Sequence, residues 1–160
     1  EWQLGTVQLD FSLPERFDME YTAENGNRDR PVVIHRAMLG SLERFLGVLI
    51  EHLSGAFPMW LAPVQAVIVP IADRHNDFCF EVGKRMSDAG FRVEVNDSND
   101  RMNAKIRQAQ LQKVPYMLVA GDREVEAQSL AVRTRNGDNI DPMSIDQVID
   151  RFKKQVADRS

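Results

Sequence analysis

The apolar run from Val64 to Ile71 limits the fold more than any other part of the sequence. A strand that shows water no polar face has to be covered on both sides, the condition of a central strand in a parallel sheet. The residues that follow keep to that logic. Phe78, Val82 and Met86 recur at helical spacing before Gly90, and Phe91, Val93 and Val95 then alternate as a second strand. Asn99 or Asp100 is placed to cap a helix carrying Met102, Ile106 and Ala109. Tyr116 to Ala120 forms a third apolar strand ended by Gly121, and Leu130 and Val132 lie in a fourth that stops at Asn136-Gly137. Alternation on that strand sends Arg133 and Arg135 to one face and Val132 to the other. Ser144 with Gln147 makes a capping box for a last helix that buries Ile145, Val148, Ile149, Phe152 and Val156. The order strand, helix, strand, helix, strand, strand, helix implies parallel pairs joined by crossovers and sandwiched by helices.

The earlier part of the chain follows a different period. Val7, Leu9, Phe11 and Leu13 alternate with Gln8, Asp10 and Ser12, as in a half-buried strand, and Pro14 ends it. Asn25-Gly26 marks a tight turn in a polar stretch and predicts a hairpin-like return. After Pro31, the short strand Val32-Val33-Ile34 delivers His35 and Arg36 at its end. Ser41 is a good cap for a helix whose apolar face is Leu42, Phe45, Leu46, Leu49, Ile50 and Leu53, with Gly55 as its stop. Phe57 to Pro63 reads as a linker anchored by an aromatic, so the chain is divided into residues 1–60 and 61–160.

With 43% hydrophobic residues in 160, the chain can bury a core. Its net charge of −4 does not advertise a nucleic-acid binder, so any such contact has to come from a local patch. Lys105, Arg107, Lys113, Arg123, Arg133 and Arg135 concentrate positive charge in the second half. The single cysteine, Cys79, excludes an internal disulfide and a cysteine-based metal cluster, and its neighbours Phe78 and Phe80 point to packing. His52 and His75 have no partner at metal spacing and read as surface residues. No apolar stretch is long enough to span a bilayer and no signal-peptide pattern opens the chain, so no membrane partner and a cytoplasmic location are expected. The sequence starts in mid-pattern at Glu1-Trp2-Gln3, and an upstream part is expected.

The constellation His35-Arg36-Ala37 followed by Gly40-Ser41-Leu42-Glu43-Arg44-Phe45 resembles the third signature motif of class II aminoacyl-tRNA synthetases. The opening Glu1-Trp2-Gln3-Leu4-Gly5-Thr6-Val7-Gln8-Leu9-Asp10-Phe11 is similar to the strand just upstream of that motif in threonyl-tRNA synthetases. Trp60-Leu61-Ala62-Pro63-Val64-Gln65, Val114-Pro115-Tyr116-Met117-Leu118-Val119 and Gly121-Asp122-Arg123-Glu124-Val125 look like the anticodon-binding domain of the same enzymes. The resemblance covers essentially the whole chain. It implies an α/β fold: a C-terminal anticodon-binding domain with a mixed sheet flanked by helices, preceded by antiparallel strands and the motif 3 helix that end a class II catalytic domain. It also implies ATP-dependent joining of L-threonine to tRNA-Thr, with magnesium accompanying ATP, zinc in the full-length enzyme, and a homodimer. The chain alone is expected to bind tRNA weakly and not to aminoacylate.

For single residues the resemblance and the bare pattern differ. Pattern alone lets Arg44 snorkel or pair with Glu43 or Glu51; the resemblance implies that it clamps the ATP triphosphate, with Gln3 also at ATP. Gln8 is otherwise ordinary strand polarity, and the resemblance gives it to the amino acid. His35 is by pattern a hydrogen-bonded structural histidine, and by resemblance a zinc ligand at the amino-acid site whose fellow ligands lie upstream. Leu4 stands where some members carry cysteine, which alters the pocket wall but no catalytic role. Asn99, Lys113, Glu124 and Arg133 match positions near the anticodon bases, where amides and carboxylates read base edges and arginine stacks or contacts phosphate; Lys113 lacks the planar fork of the arginine often found there. The rival readings are a non-catalytic RNA-binding adapter, a prolyl or histidyl class II synthetase, and a flavodoxin-like small-molecule binder. The last lacks a glycine-rich phosphate loop, for which Pro70 to Arg74 is unsuited.

Overall fold

Asp10 decides how the chain begins. In the computed structural model, which describes residues 2–159, the first strand (β1, Thr6–Asp10) stops there because Asp10 Oδ1 accepts hydrogen bonds from the backbone N–H groups of Ser12 and Leu13, at 2.9 and 3.0 Å. These contacts start a short helix (α1, Ser12–Arg16), so the alternation expected to reach Leu13 ends early. Pro14 sits within that helix, where its missing N–H costs little. Glu1, the first residue of the resemblance, lies outside the described residues. Tyr21–Thr22 (β2) and Arg28–Asp29 (β3) pair as the expected hairpin, and Gly26 adopts φ +80° at its turn. The fourth strand (β4, Val33–Ala37) pairs antiparallel with β1, which places His35 in mid-strand rather than at its end. In the helix α2 (Leu42–His52), Ser41 Oγ accepts from Arg44 N at 3.3 Å. None of its residues is buried: of the expected apolar face, Leu42, Leu46 and Ile50 are exposed and Phe45 and Leu49 half-buried.

The chain forms two compact units that divide between His52 and Leu53. The sequence suggested a boundary at 60/61, with Phe57–Pro63 as a linker. That segment instead belongs to the second unit: Met59 and Ala62 are buried, Gln65 Nε2 donates to Met59 O, and the Arg92 guanidinium donates to the carbonyls of Trp60 and Ala62.

The second unit is built on Ala66–Pro70 (β5), Asn76–Asp88 (α3), Val93–Val95 (β6), Met102–Leu111 (α4), Tyr116–Ala120 (β7), Asp122–Glu126 (α5), Ser129–Thr134 (β8), Asn139–Ser144 (β9) and Ile145–Asp158 (α6). Its sheet runs β6-β5-β7-β8-β9, with β5 parallel to β6 and β7, and β8 antiparallel to both its neighbours. The sheet is therefore mixed. β5 is buried along its whole length, since Ala66 and Ile68 meet α3 while Val67 and Val69 meet the α4 side. Phe78, Val82 and Met86 of α3 join Val148, Ile149 and Phe152 of α6 in the larger core. Phe152 packs edge-on against Phe91, with ring centroids 5.5 Å apart.

Two elements had no sequence signal: the five-residue α5, and β9, an edge strand whose Pro142 breaks the usual strand signature. Neither Asn99 nor Asp100 caps α4. The cap position is Arg101, without a side-chain bond, while Asp100 accepts from Ser98 Oγ. The Ser144–Gln147 box is present as expected. No helix among the described residues is long and apolar enough to cross a membrane.

Candidate nucleotide and nucleic-acid sites

The antiparallel register of β1 and β4 sets Gln8 directly opposite His35 and Thr6 opposite Ala37. Side chains two apart on a strand share a face, so Thr6 and Gln8 meet His35 and Ala37 on one side of the pair, where they line a shallow cavity with Arg36. Asp10, on the same face, reaches diagonally to His35, with Oδ2 2.9 Å from Nε2. Backbone bonds from Leu13, the hydrogen bond to His35 and a bond from Ser12 hold the Asp10 carboxyl below its ordinary pKa. One carboxylate thus both starts α1 and orients the imidazole.

Gln3 donates to Thr6 Oγ1 at 3.3 Å. Gly40 has φ +64°, and a Cβ there would lie 3.1 Å from the Leu4 carbonyl oxygen. Only glycine brings the start of α2 so close to the residue after Gln3. Arg44, one turn into that helix, is exposed and forms no ion pair among the described residues, since Glu43 accepts from Ser41 Oγ instead. The first unit thus brings Gln8 and His35 face to face and sets the Gln3 segment against the start of the Arg44 helix.

In the second unit, Asn99 follows β6 in an exposed loop and Glu124 lies on α5 just after β7, so both occupy the carboxyl end of the parallel strands. Arg133 pairs with Met117 across β8 and β7 and lines a cavity with Met102, Ile106, Val119, Asn139 and Ile140. Its Nε is buried without a hydrogen-bond partner among the described residues. A buried donor left unpaired is costly, so a group arriving at this cavity with an acceptor would find a donor placed to meet it. Lys113 lies apart. It precedes β7, at the opposite end of the strand from Glu124, in a left-handed conformation (φ +58°), and its Nζ donates to the Ser54 carbonyl.

Two families match. The one described as "Anticodon binding domain" matches residues 65–155, and the one described as "tRNA synthetase class II core domain (G, H, P, S and T)" matches residues 1–53. The chain is 46% identical over 159 residues to the threonine–tRNA ligase of Caldanaerobacter subterraneus, covering 99% of this chain and 25% of that protein. It is 53% identical over 160 residues to the threonine–tRNA ligase of a Nocardioides species, covering 99% and 24%. The chain belongs to the family described as "Anticodon binding domain", and over nearly its whole length it is similar to threonyl-tRNA synthetases. It spans about a quarter of the length of these curated relatives. Among solved structures, the RNA-binding domain of threonyl-tRNA synthetase from Cryptosporidium parvum superposes with a TM-score of 0.86 at 37% identity, over 96% of this chain and 39% of that one. The prolyl-tRNA synthetase of the same organism shares the fold, with a TM-score of 0.71 at 23% identity, over 98% of this chain and 34% of that one.

Three expectations read from the sequence need correction. His75 is not a surface residue: it is 3% exposed, accepts from Ala72 N through Nδ1 at 3.2 Å and meets Asp122 Oδ1 through Nε2 at 2.9 Å. Lys105 does not join a solvated basic patch, because it is buried with Nζ 3.4 Å from the Pro70 carbonyl. Arg135 does not share the face of Arg133. Strand β8 ends at Thr134, and Arg135 turns back to donate to the Phe57 carbonyl at 2.6 Å, beside Tyr116 and Gln155. Each of these side chains is held by a partner at least 35 residues away in sequence, which local pattern cannot reveal.

Proposed function

We propose that this chain is part of a threonine–tRNA ligase, with the unit that runs to His52 ending its catalytic domain and the unit from Leu53 onward forming its anticodon-binding domain. The observation that carries the reading is Gln8 opposite His35 on paired strands, in the same unit as the free guanidinium of Arg44. On this reading ATP, carried with magnesium, meets Gln3 and Arg44. Arg44 neutralises charge on the triphosphate as a threonine carboxylate oxygen attacks the α-phosphorus and pyrophosphate leaves, giving the adenylate, and positioning with charge neutralisation supplies most of the rate. Gln8 and His35 face the amino acid.

His35 fits a zinc site as a single ligand. Asp10 occupies its Nε2, as carboxylates commonly orient metal-binding imidazoles, and Nδ1 is left to coordinate. No group of three His, Cys, Asp or Glu side chains able to hold a metal occurs among the described residues, and the partner ligands are assigned upstream. Held in part by His35, zinc would supply Lewis-acid coordination for the substrate threonine.

Asn99, Glu124 and Arg133 are assigned to base edges of the tRNA-Thr anticodon, and Lys113, a point charge at the other end of β7, to the anticodon loop at its phosphates. The full-length enzyme is assigned to the cytoplasm as a homodimer. An RNA-binding adapter or a prolyl or histidyl enzyme is less favoured, since relatives near 50% identity are threonine–tRNA ligases and the prolyl likeness is 23%.

Threonine-dependent ATP–pyrophosphate exchange by the full-length enzyme tests the proposal. Arg44→Ala should lower exchange by about 10²–10³-fold, the effect of one strong electrostatic contact, with the melting temperature unchanged. Near-normal exchange removes Arg44 from the ATP site, and exchange driven by proline or histidine but not threonine overturns the assignment.

A further inference from the structure

The five-residue helix α5 carries Glu124, has no fully buried residue and is far too short to persist on its own propensity. Val125 packs against the core, and Gly121 N donates to Glu124 Oε2 at 2.9 Å, which closes the first turn. The remaining tie comes from the loop after β5, the neighbouring parallel strand. Arg74 Nε and a terminal nitrogen donate to the two carboxylate oxygens of Asp122 at 2.8 and 2.6 Å, a bidentate pair. His75 takes the Oδ1 atom as well, at 2.9 Å. Because Nδ1 of His75 accepts the Ala72 N–H, the proton of the neutral ring sits on Nε2 and is donated to Asp122. The ring is 3% exposed, so the carboxylate is fixed from a rigid point inside the domain.

We propose that His75, Arg74 and Asp122 form a clamp that fixes α5 against the end of β5 and thereby positions Glu124 for anticodon discrimination. The inference rests on the assignment of Glu124 to the anticodon. Asp122 heads the helix and Glu124 lies in the same turn, so rotation of α5 about its attachment to β7 would swing the Glu124 carboxylate away from a bound base. None of the three clamp residues contacts RNA on this account. They are positioning residues, and their loss should be felt as lost selectivity rather than lost charge attraction.

Two readouts on the full-length enzyme test the clamp: binding of anticodon stem-loops with the cognate or one altered base at fixed salt, and hydrogen exchange of the Gly121 amide. His75→Leu keeps a side chain of similar size but leaves Ala72 N without its acceptor and Asp122 held by Arg74 alone, without the buried anchor. It should reduce selectivity about tenfold, the size of one hydrogen bond to a charged group, and speed Gly121 exchange by a similar factor. His75→Gln, which can accept from Ala72 N and donate to Asp122, should keep both within about threefold of the parent, and it guards against a fold lost in the leucine variant. Equal weakening of both RNAs, or unchanged selectivity with unchanged exchange in His75→Leu, overturns the clamp. Glu124→Ala run alongside separates the two claims. If it leaves selectivity intact, the assignment of Glu124 falls and Gly121 exchange alone decides: faster exchange supports the clamp, and unchanged exchange overturns it.

Discussion

Burial sets the chemistry of Cys79. The side chain is fully covered in the larger core, and desolvation pushes its pKa up to about 11 from an ordinary value near 9.0, a nearby Lys105 opposing only weakly. Below pH 9 both folded and unfolded chains keep the proton and stability does not depend on it. Between about 9 and 11 the unfolded chain releases its proton first, so stability falls as pH rises through that window. At pH 8 iodoacetamide should label Cys79 only as fast as the domain opens; prompt labelling of the native protein would place the thiol outside the core. Asp122 behaves in the opposite sense. Arg74, then His75, hold its carboxyl well below the usual range, so its contribution is present above the ordinary carboxylate pKa and is lost as pH falls through the lowered one. The packing role of Cys79 was legible from Phe78 and Phe80 beside it. The burial of His75 and Lys105 was not, because polar groups are buried only where a distant partner waits, and no spacing records Asp122 or the Pro70 carbonyl.

Elements were legible where one local device specifies them. The α6 helix carries its own start signal: Ser144 Oγ accepts from Gln147 N at 3.3 Å and Gln147 Oε1 accepts from Ser144 N at 2.9 Å. Ser144→Ala should therefore destabilise the domain by about 1 kcal/mol, seen as a lower denaturant midpoint with an unchanged slope. An unaltered midpoint would mean that packing of Phe152 and its neighbours alone fixes the helix start. Asn99 and Asp100 offered the same kind of signal before α4, yet the chain caps at Arg101 and spends Asp100 on Ser98. The α5 helix and the β9 strand escape sequence reading for a different reason. One is held by tertiary contacts rather than propensity, and the other is completed by pairing to β8 despite Pro142.

At the scale of the whole molecule, the two periods in the sequence correspond to two units with different degrees of closure. The second unit covers both faces of its sheet, and its interior strand β5 matches the apolar run that announced it. The first leaves the apolar residues of β1, β4 and α2 exposed, among them Leu9, Ile34 and Leu46. The paired placement of Gln8 and His35 followed from the strand register, which the sequence could not supply. Anticodon reading by the second unit, as proposed above, is tested most directly at Arg133, whose Nε is buried at a cavity edge without a partner among the described residues. The decisive measurement is a titration of the full-length enzyme with labelled anticodon stem-loops, cognate and base-altered, at fixed salt. Arg133→Ala should weaken the cognate complex by about 1–3 kcal/mol and the altered one by less, whereas Lys153→Ala, on the exposed face of α6, changes only the salt-dependent background. Cognate binding untouched by Arg133→Ala, or both RNAs weakened equally, would contradict base reading at this face.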